Sequence, residues 1–597
     1  MNPNPRFWTD SLGRAFALDL RSLAAMRFAL GLLLLIDTLS RLGEVGAFYG
    51  DAGVLPRALQ AGVASPWRWS LHLANGEAWF QSLLLLAQAL AALLLAFGWR
   101  TRVVTLIAWL LTASLLNRNP LVIGAGDVLL CLLLFWSLFL PMAARWSVDA
   151  ALSPQPPPDD HRHASWASAA LLLQLLSVFV FQALLQPTAA NLYAADTEVL
   201  AAGRWLRQHL AANEAITSWA LTVQLVSPLI LLLRAGSTRI ARLRIVVRAV
   251  LLLQLLLVAL LTMFTLRCGV LPWAQIVGLI ALVGATFWEN RALRLRRQNS
   301  GGELRIYYDR GCGFCLKSCR LLTQMLVLPH AKVLPAQDHR RADSLLRAND
   351  SWVVIDHDDT AFLKGAAMLL LIKRSPLFSW LGRLALRLGF SAAADLAYEV
   401  VARNRPAFAR VTDKLIPERA LRFVPSPGVQ RIAGVLATLV LLWNLAGLRT
   451  PAGPFEKLLA PPLQLLRLDQ HWDRYSPSPT PADSWWVAAG HLGDGREVDA
   501  LRGADDALRF DEPAAIRDDG LHWRAFRRQM AQPEAAAVRA RWADYLCERW
   551  NDGRSAESAD RLVSFKLIAV LDLQAGAGRR LEQRVLGRQD CAASAAP

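Results

Sequence analysis

Runs of about 20 apolar residues recur along the chain, and they constrain its fold more than any other feature of the sequence. A helix needs about 20 such residues to cross a hydrocarbon core of roughly 30 Å, and a soluble protein rarely has even one such run. The 597-residue chain is 54% hydrophobic and 19% charged, which suits a set of membrane spans. We therefore predict an integral, multi-pass protein built on an α-helical polytopic bundle, with the lipid bilayer as a partner.

The apolar runs predict about eight spans within residues 1–298 and a ninth within residues 428–449. Their expected bounds are Leu23–Leu39, Trp79–Phe97, Val103–Leu116, Val128–Leu140, Trp166–Leu185, Ile216–Leu233, Ile245–Leu266, Leu271–Trp288 and Ile432–Leu448. The third and fourth runs are short, so they form either two tilted helices or a pair broken around residues 117–120. The first run follows a polar stretch and precedes no small-residue cleavage site, so we expect a retained span and no cleavable signal peptide.

Basic residues flank the apolar runs and indicate their orientation. The net charge is +17, but the arginines lie mainly in short loops such as 234–248, where they face an anionic leaflet and not a nucleic acid. With these loops in the cytoplasm, the N-terminus and residues 301–425 lie inside and the tail from residue 450 onward lies outside. The expected location is a bacterial-type inner membrane, and no nucleic-acid partner is expected.

From Gly302 onward the composition is that of a small α/β domain. The patterns predict strands over 304–308, 332–334 and 352–355 and helices over 314–326 and 365–373. In residues 450–597, the sequence Gly493-Asp494-Gly495 predicts a hairpin turn, followed by a helix over 534–550 and a final strand over 563–573. The predicted fold class is an α-helical membrane bundle with an inserted α/β domain at 301–425 and a small α+β tail domain at 450–597.

Three cysteines of the inserted domain, Cys312, Cys315 and Cys319, lie close together in the sequence. A strand, a short turn and then Cys-Gly-Phe-Cys opening a helix is typical of thiol–disulfide exchange, because the free amides of a helix N-terminus stabilise a thiolate and lower its pKa. Cys312 is expected to attack, and Cys315 to resolve the mixed disulfide. Asp309 either accepts a proton in this chemistry or ends the strand.

Metal binding is an alternative interpretation of the same cysteines. The three thiolates together with His330 or His339 could supply four ligands. There is no second Cys-x-x-Cys, and Cys319 lies one turn beyond Cys315, where a packed helix residue would lie. We therefore prefer the redox interpretation and expect no metal. In the tail, Cys547 and Cys591 are placed in a compartment that permits a disulfide.

The residues around the cysteine pair resemble the DCC family of thiol–disulfide oxidoreductases, named for its Asp-x-x-Cys-x-x-Cys motif. The similarity rests on residues 307–315, on Gly365–Ala367 and on residues 398–405. The resemblance implies a thioredoxin-like fold with its redox pair at Cys312 and Cys315. No proline directly precedes the strand that begins at Trp352, so the cis-proline that thioredoxins place beside their disulfide is not evident.

The N-terminal bundle resembles the HTTM family, whose membrane domain is shared with vitamin K-dependent gamma-carboxylase. The similarity rests on residues 20–27, 48–56 and 139–149. Residues 1–298 contain no lysine that could match the carboxylase's catalytic lysine. A glutamate carboxylase activity is therefore disfavoured.

Charged residues within predicted spans are candidates for a polar site, because charge at membrane depth is costly. The candidates are Arg27, Asp37, Arg118 and Asp127. Arg27 and Asp37 are ten residues apart on one helix and cannot pair with each other, whereas Arg118 is expected near Asp127, where it would neutralise that carboxylate. These four residues form either a functional pocket or a set of structural contacts.

The leading hypothesis is a membrane protein with a cytoplasmic dithiol module that needs no cofactor and works with a thiol reductant or a disulfide-bearing protein. By analogy alone, the substrate of the membrane domain is a lipid-soluble, quinone-like molecule. The alternatives are a transporter or scaffold whose Cys-x-x-Cys domain senses oxidation, and a metal-binding module.

Overall fold

The computed structural model describes most of the chain, in three consecutive parts: a helical bundle, an α/β module and, after one more long helix, a tail domain. The described residues are 16–63, 65–155, 161–185, 205, 209–232, 241–265, 269–298, 303–328, 331–421, 426–448, 453–470, 472, 483–502, 508–510, 520–530, 532–555, 557–575 and 578–591.

Each apolar run predicted as a span contains helix, although the runs over 128–140 and 271–288 are not helical throughout. The bundle contains α1 (Leu20–Leu42), α2 (Val45–Phe48), α3 (Arg57–Val63), α4 (Ala78–Phe97), α5 (Thr101–Arg118), α6 (Ala125–Ser137), α7 (Val148–Leu152), α8 (Trp166–Leu185), α9 (Leu210–Leu232), α10 (Ala241–Thr265), α11 (Leu271–Ile280) and α12 (Ala285–Gln298). Two short strands, β1 (Leu18–Asp19) and β2 (Arg162–His163), pair beside the start of α1.

Fewer helices than predicted have the length and composition of a span. Among the described residues, five are long and apolar enough to cross a membrane: α1, α4, α8, α10 and a later helix over Pro427–Ala446. Helices α11 and α12 make a sixth only if they are counted as one span, because they are bent by 74°. The run predicted as a span over Leu271–Trp288 is therefore interrupted between Ile280 and Ala285, where the Val283 carbonyl accepts from the Ser22 hydroxyl.

The bundle helices pack closely, and one short helix is enclosed completely by its neighbours. At Gly31, α1 approaches α4 so closely that an added Cβ would lie 2.7 Å from the Ala92 carbonyl oxygen, as is common where membrane helices meet at small residues. All residues of α6 are buried. An apolar helix enclosed by its neighbours does not face lipid and does not need full span length.

The module is a four-stranded sheet with helices on both faces. Its elements are β3 (Arg305–Tyr308), α13 (Gly313–Met325), β4 (Lys332–Pro335), α14 (Arg340–Asn349), β5 (Val353–Ile355), β6 (Ala361–Leu363), α15 (Lys364–Arg374), α16 (Ser379–Arg387), α17 (Ser391–Arg403) and α18 (Arg405–Leu415). The strand order is β4-β3-β5-β6, with β4 parallel to β3 and the other pairs antiparallel. Alternation along β5 sends Val354 to the α13 and α15 face and its neighbours Val353 and Ile355 to the α14 face.

The tail follows α19 (Pro427–Ala446) and forms an antiparallel sheet packed against helices. Helix α20 (Pro454–Leu465) packs against the bundle. The elements of the tail are β7 (Asp483–Leu492), β8 (Glu497–Asp499), α21 (Leu521–Met530), α22 (Ala536–Asn551), β9 (Leu562–Ala575) and β10 (Gly578–Asp590). The order is β10-β9-β7-β8. The predicted hairpin, helix and strand are confirmed, and β10 is an addition to them.

The module and the tail lie at opposite ends of the bundle. At the end where α1 begins, the Trp146 amide donates to Gln324 of the module at 2.9 Å. At the end where α1 finishes, Glu44 pairs with His522 of the tail and Phe48 packs on Trp523. A single long helix, α19, therefore connects parts of the protein that the bundle separates.

Candidate functional site

The cysteine motif sits where a buried strand turns into a helix. Strand β3 ends at Tyr308, and the Asp309 carbonyl accepts from the Cys312 amide at 2.9 Å. The Asp309 carboxylate accepts from the Gly311 amide at 3.2 Å, which closes the turn. Cys312 then caps α13, as the strand-turn-helix pattern predicts.

Cys312 and Cys315 form a disulfide across the first turn of α13. The Cys312 sulfur also accepts from the Cys315 amide, at 3.2 Å. A sulfur at this position receives the partial positive charge of the helix N-terminus, which stabilises the thiolate released on reduction. Both cysteines are partly exposed, so a partner can reach the bond.

Asp309 contacts the turn and a neighbouring loop. Besides Gly311, its carboxylate accepts from the Gln337 side chain at 2.8 Å. The Oε1 atom of the same Gln337 side chain accepts from the adjacent Arg310 amide at 3.2 Å, so Gln337 bonds to two consecutive residues of the turn. These contacts give Asp309 a role in shaping the loop before Cys312.

Cys319 lies in the hydrophobic core, away from the exposed pair. It is 1% exposed, and burial raises the pKa of its thiol to about 12. His339 caps α14 and packs on Tyr307, while His330 lies outside the described residues. Within the described ranges, no three histidine, cysteine or acidic side chains are grouped so that they could hold a metal ion.

The last helices of the module support the cysteine motif. Phe314, between the two cysteines, stacks on Phe408 of α18, and Lys317 forms an ion pair with Asp413. Tyr398 stacks on Trp352 at the start of β5, and Arg405 donates to the Asp350 carbonyl at 2.6 Å. Through these contacts, residues 398–405, which carry part of the resemblance to the DCC family, stabilise the sheet and do not reach the disulfide.

Ser351, and not a proline, directly precedes Trp352. Its side chain is buried, and its hydroxyl accepts from the Lys364 amide at 2.9 Å. This bond ties the start of β5 to the start of α15. Ser351 therefore has a hydrogen-bond partner within the fold, and this bond does not direct its side chain toward the disulfide.

The module contacts the bundle at the far end of α13 from the disulfide. Gln324, which accepts from Trp146, lies twelve residues after Cys312, or about 18 Å along the helix. The Arg419 amide also donates to the Leu152 carbonyl of α7, at 3.2 Å. The disulfide therefore lies at the opposite end of α13 from the Trp146 contact.

In the bundle, two of the four predicted polar residues meet around an arginine that the sequence analysis did not select. Arg41 donates to Asp37 at 2.9 and 3.1 Å, to Asp127, and to the Tyr49 hydroxyl at 2.9 Å. All four side chains are buried. One guanidinium thus joins two carboxylates that are far apart in the sequence.

Arg118 does not neutralise Asp127, contrary to the prediction. Its guanidinium donates to the Leu55 carbonyl at 2.9 Å and lies 3.6 Å from Asp51. A short helical turn over Pro120–Val122 separates α5 from α6 and sends Arg118 and Asp127 to different neighbours. Arg41 is closer to Asp127 and makes the ion pair instead.

Arg27 lies toward the opposite end of α1 from this cluster. Its guanidinium donates to the carbonyls of Ala96, Met142 and Trp146. As expected, Arg27 and Asp37 do not pair. The four predicted residues therefore do not form one pocket, and Arg27 ties the α4–α5 and α6–α7 connections together.

The sequence contains a local signal for Arg41 but none for the other residues that contact it. Arg41 follows Asp37 by four residues, the spacing of an ion pair on a helix. Tyr49 and Asp127 join it only through the tertiary fold. The same holds for Gln470, whose amide pairs with Gln174 at 2.8 and 3.0 Å.

Comparison with known proteins identifies a family for the module. Residues 306–411 match the model of the DCC1-like thiol-disulfide oxidoreductase family. The match begins within β3 and ends within α18, so it includes the disulfide and the helices that support it. No curated protein and no solved structure matches the chain. The HTTM resemblance of the bundle stays a prediction.

Proposed function

We propose that the chain is an integral membrane protein whose thioredoxin-like module carries out thiol–disulfide exchange. The observation that carries this proposal is the partly exposed Cys312–Cys315 disulfide at the N-terminus of α13. The sheet order β4-β3-β5-β6, with α13 between the two parallel strands in the sequence, supports the thioredoxin-like assignment.

In the proposed reaction, the Cys312 thiolate attacks one sulfur of a substrate disulfide. The substrate's S–S bond breaks, its other sulfur leaves as a thiolate that takes up a proton, and a mixed disulfide forms at Cys312. The Cys315 thiolate then attacks the Cys312 sulfur, which releases the second substrate thiol and restores the Cys312–Cys315 bond. Two electrons pass from the module to the substrate, and a thiol reductant returns them.

The direct partners of the module are proposed to be water-soluble thiols or disulfide-bearing proteins. The separation of about 18 Å between Cys312 and the bundle contact at Gln324 favours partners that approach from the aqueous side. A lipid-soluble, quinone-like substrate for the membrane domain is proposed by analogy alone. The dithiol reaction itself needs no cofactor.

Asp309 is proposed as a positioning residue for the turn, with proton transfer as the competing role. An Asp309→Asn substitution separates the two, because asparagine keeps an oxygen that accepts from Gly311 and Gln337 but cannot take up a proton. Unchanged exchange kinetics across pH 6 to 9 would support the positioning role. A loss of rate with an altered pH profile would assign proton transfer to the carboxylate.

We place the module in the cytoplasm and the tail outside, in a bacterial-type inner membrane. Two observations support this arrangement: the soluble parts lie at opposite ends of the bundle, and the tail contains a Cys547–Cys591 disulfide, which an oxidising compartment favours. Arg100, between α4 and α5, and Arg102, in the first turn of α5, lie at the module end, which the positive-inside rule assigns to the cytoplasm.

Two exposed serines provide a matched test of this topology. In a protein with Cys312→Ser and Cys315→Ser, we would add either Ser344→Cys on α14 or Ser555→Cys in the tail. A membrane-impermeant thiol reagent applied to cells with a permeabilised outer membrane should label residue 555 at once and residue 344 only after lysis. Labelling of residue 344 before lysis would reverse the orientation.

A redox sensor that controls the bundle is the second candidate function. The observation that favours it is that α13 carries the disulfide at one end and the Trp146 contact at the other. A sensor would change state once on oxidation and alter an activity of the bundle, whereas an exchange enzyme would turn over repeatedly when supplied with reductant. Counting substrate disulfides reduced per module separates the two.

The proposed exchange is tested by a redox titration of the full-length protein in detergent. The protein is equilibrated with mixtures of reduced and oxidised dithiothreitol, and the Cys312–Cys315 state is read by alkylation and mass spectrometry. We expect a reversible two-electron transition that Cys312→Ser and Cys315→Ser each abolish and that Cys319→Ala leaves in place. Stoichiometric metal in the same sample without such a transition would indicate a binding module instead.

A further inference from the structure

The segment 377–390 of the module exposes a run of large apolar side chains. Trp380 is 59% exposed and Leu388 is 63% exposed. We call the following set the Trp380 patch: Leu377, Phe378, Trp380, Leu381, Leu384, Leu386, Leu388 and Phe390. Soluble surfaces rarely gather so many large apolar side chains in one place, and such a patch indicates a surface that something covers.

Helix α16, which carries the centre of the patch, is held to the module by its backbone and not by its side chains. Gly382 is its one buried residue, and an added Cβ there would lie 2.5 Å from the Lys373 amide nitrogen of α15. This close approach fixes the helix while its large side chains stay outside the module core. The patch is therefore a firmly held surface and not a loosely packed part of the fold.

The charges within the patch all have one sign. Between Pro376 and Phe390 the charged residues are Arg383 and Arg387, with no acidic residue. Both are exposed, and neither forms an ion pair with another residue that the structure describes. Apolar side chains interleaved with arginines match the interface of an anionic bilayer, where the apolar groups enter the acyl boundary and the guanidinium groups reach the headgroups.

The patch also lies at the end of the module that faces the bundle. The Ser375 hydroxyl, just before the patch, donates to the Leu326 carbonyl at 2.7 Å. Leu326 is two residues beyond Gln324, which contacts Trp146 of the bundle. The patch is thus anchored to the same end of α13 as the bundle contact, while Cys312 lies at the other end.

We propose that the Trp380 patch inserts into the headgroup region of the bilayer that surrounds the bundle, with Arg383 and Arg387 on anionic lipid phosphates. This surface contact, together with the Trp146 and Leu152 contacts, holds the module in one orientation. The orientation presents the disulfide away from the membrane. The inference does not depend on the exchange reaction, since it concerns how the module sits on the bilayer.

The test uses the full chain in lipid nanodiscs with an environment-sensitive fluorophore on one cysteine. In a protein with Cys312→Ser and Cys315→Ser, Leu384→Cys places the fluorophore in the patch and Ser344→Cys places it on α14, outside the patch, as the matched control. The readout is quenching by nitroxide-labelled lipid, in nanodiscs that contain phosphatidylglycerol and in nanodiscs that contain phosphatidylcholine alone.

We expect nitroxide lipid to quench most of the emission at residue 384 and little at residue 344. Replacing Arg383 and Arg387 by glutamate should reduce the quenching at residue 384 in phosphatidylglycerol nanodiscs and should leave Cys319 protected from alkylation, which reports that the module stays folded. A blue-shifted emission at residue 384 without lipid quenching would mean that a protein surface covers the patch. That outcome, or equal quenching at both positions, would overturn the proposal.

Discussion

The module and the tail each contain one disulfide, but the two bonds differ in every respect that decides what a disulfide does. Cys312 and Cys315 are three residues apart, cap a helix N-terminus and are partly exposed. Cys547 and Cys591 are 44 residues apart, are 8% and 6% exposed, and join α22 to the residue after β10. The first bond suits exchange with partners, and the second suits closure of a fold.

The two soluble parts also attach to the bundle differently. The tail shares a hydrophobic core with the α1–α3 segment, in which Phe48 packs 4.6 Å from Trp523 and Arg541 donates to the Ala52 and Gly53 carbonyls. The module contacts the bundle through α13, which packs beside the short helix α7, and through hydrogen bonds at Trp146 and Leu152. A broad aromatic and apolar core therefore joins the tail to the bundle, whereas one short helix and a few hydrogen bonds join the module to it.

The largest expected difference is in the reduction of the two bonds. In the folded full-length protein, a low concentration of dithiothreitol should reduce Cys312–Cys315 orders of magnitude faster than Cys547–Cys591, because thiol attack requires access to a sulfur. Differential alkylation followed by mass spectrometry measures both rates in one sample. Comparable rates would mean that exposure does not distinguish the bonds, and the comparison would fail.

The thiols of the reduced module should also differ strongly in reactivity. With its pKa raised to about 12, Cys319 stays protonated at pH 8 and should not be alkylated until the protein is unfolded. Cys312 should react at the same pH once the disulfide is reduced. Reaction of Cys319 in the folded protein at a rate near that of Cys312 would show that the core around α13 opens.

Removing the tail disulfide should reduce the stability of the tail and leave thiol–disulfide exchange at Cys312 and Cys315 intact. Cys547→Ser with Cys591→Ser should lower the free energy of unfolding of the tail by about 4 kcal/mol, because a crosslink over a loop of this length restricts the unfolded chain. Hydrogen exchange of amides in β9 measures the loss. The paired change Cys312→Ser with Cys315→Ser is the control. It should abolish thiol–disulfide exchange while the tail amides stay protected from hydrogen exchange.

The smallest effects are expected at the contacts by which the tail and the module attach to the bundle. Phe48→Ala should destabilise the docked tail by about 3 kcal/mol, since it empties a buried aromatic site. Gln324→Ala removes one hydrogen bond to Trp146 and should weaken docking of the module by about 1 kcal/mol. Hydrogen exchange of the amides in α21 and in α7 compares the two effects, and a larger effect at Gln324 would contradict the difference between the attachments.

Sequence patterns predicted the elements that depend on local chemistry. Long apolar runs predicted the helices of the bundle, and the alternation in β3 and β5 together with the turn before Cys312 predicted the start of the module. Helices α14 and α16–α18 were not predicted, although apolar residues recur at helical spacing in α16 and α18. Many of the apolar side chains of α16–α18 are exposed, so the pattern does not imply burial in the module core.

Sequence patterns could not predict the contacts that depend on tertiary packing. Arg118 and Asp127 are close in the sequence, and that proximity suggested a pair, but the turn at Pro120–Val122 separates them and Arg41 takes the place of Arg118. The Cys547–Cys591 bond likewise depends on how β10 returns beside α22. Spacing alone does not reveal such pairs, because tertiary packing decides them.

The most direct test of the account is the capture of a mixed disulfide by the two single-cysteine variants of the full-length protein. Each of Cys315→Ser and Cys312→Ser is mixed with a disulfide-bearing peptide at neutral pH, and the covalent adduct is followed by mass spectrometry. The account predicts that Cys312, left alone by Cys315→Ser, forms a stoichiometric adduct at least about tenfold faster than Cys315 does, because it caps the helix N-terminus. Faster reaction at Cys315, or no adduct at either cysteine, would contradict the claim that this module performs thiol–disulfide exchange through Cys312.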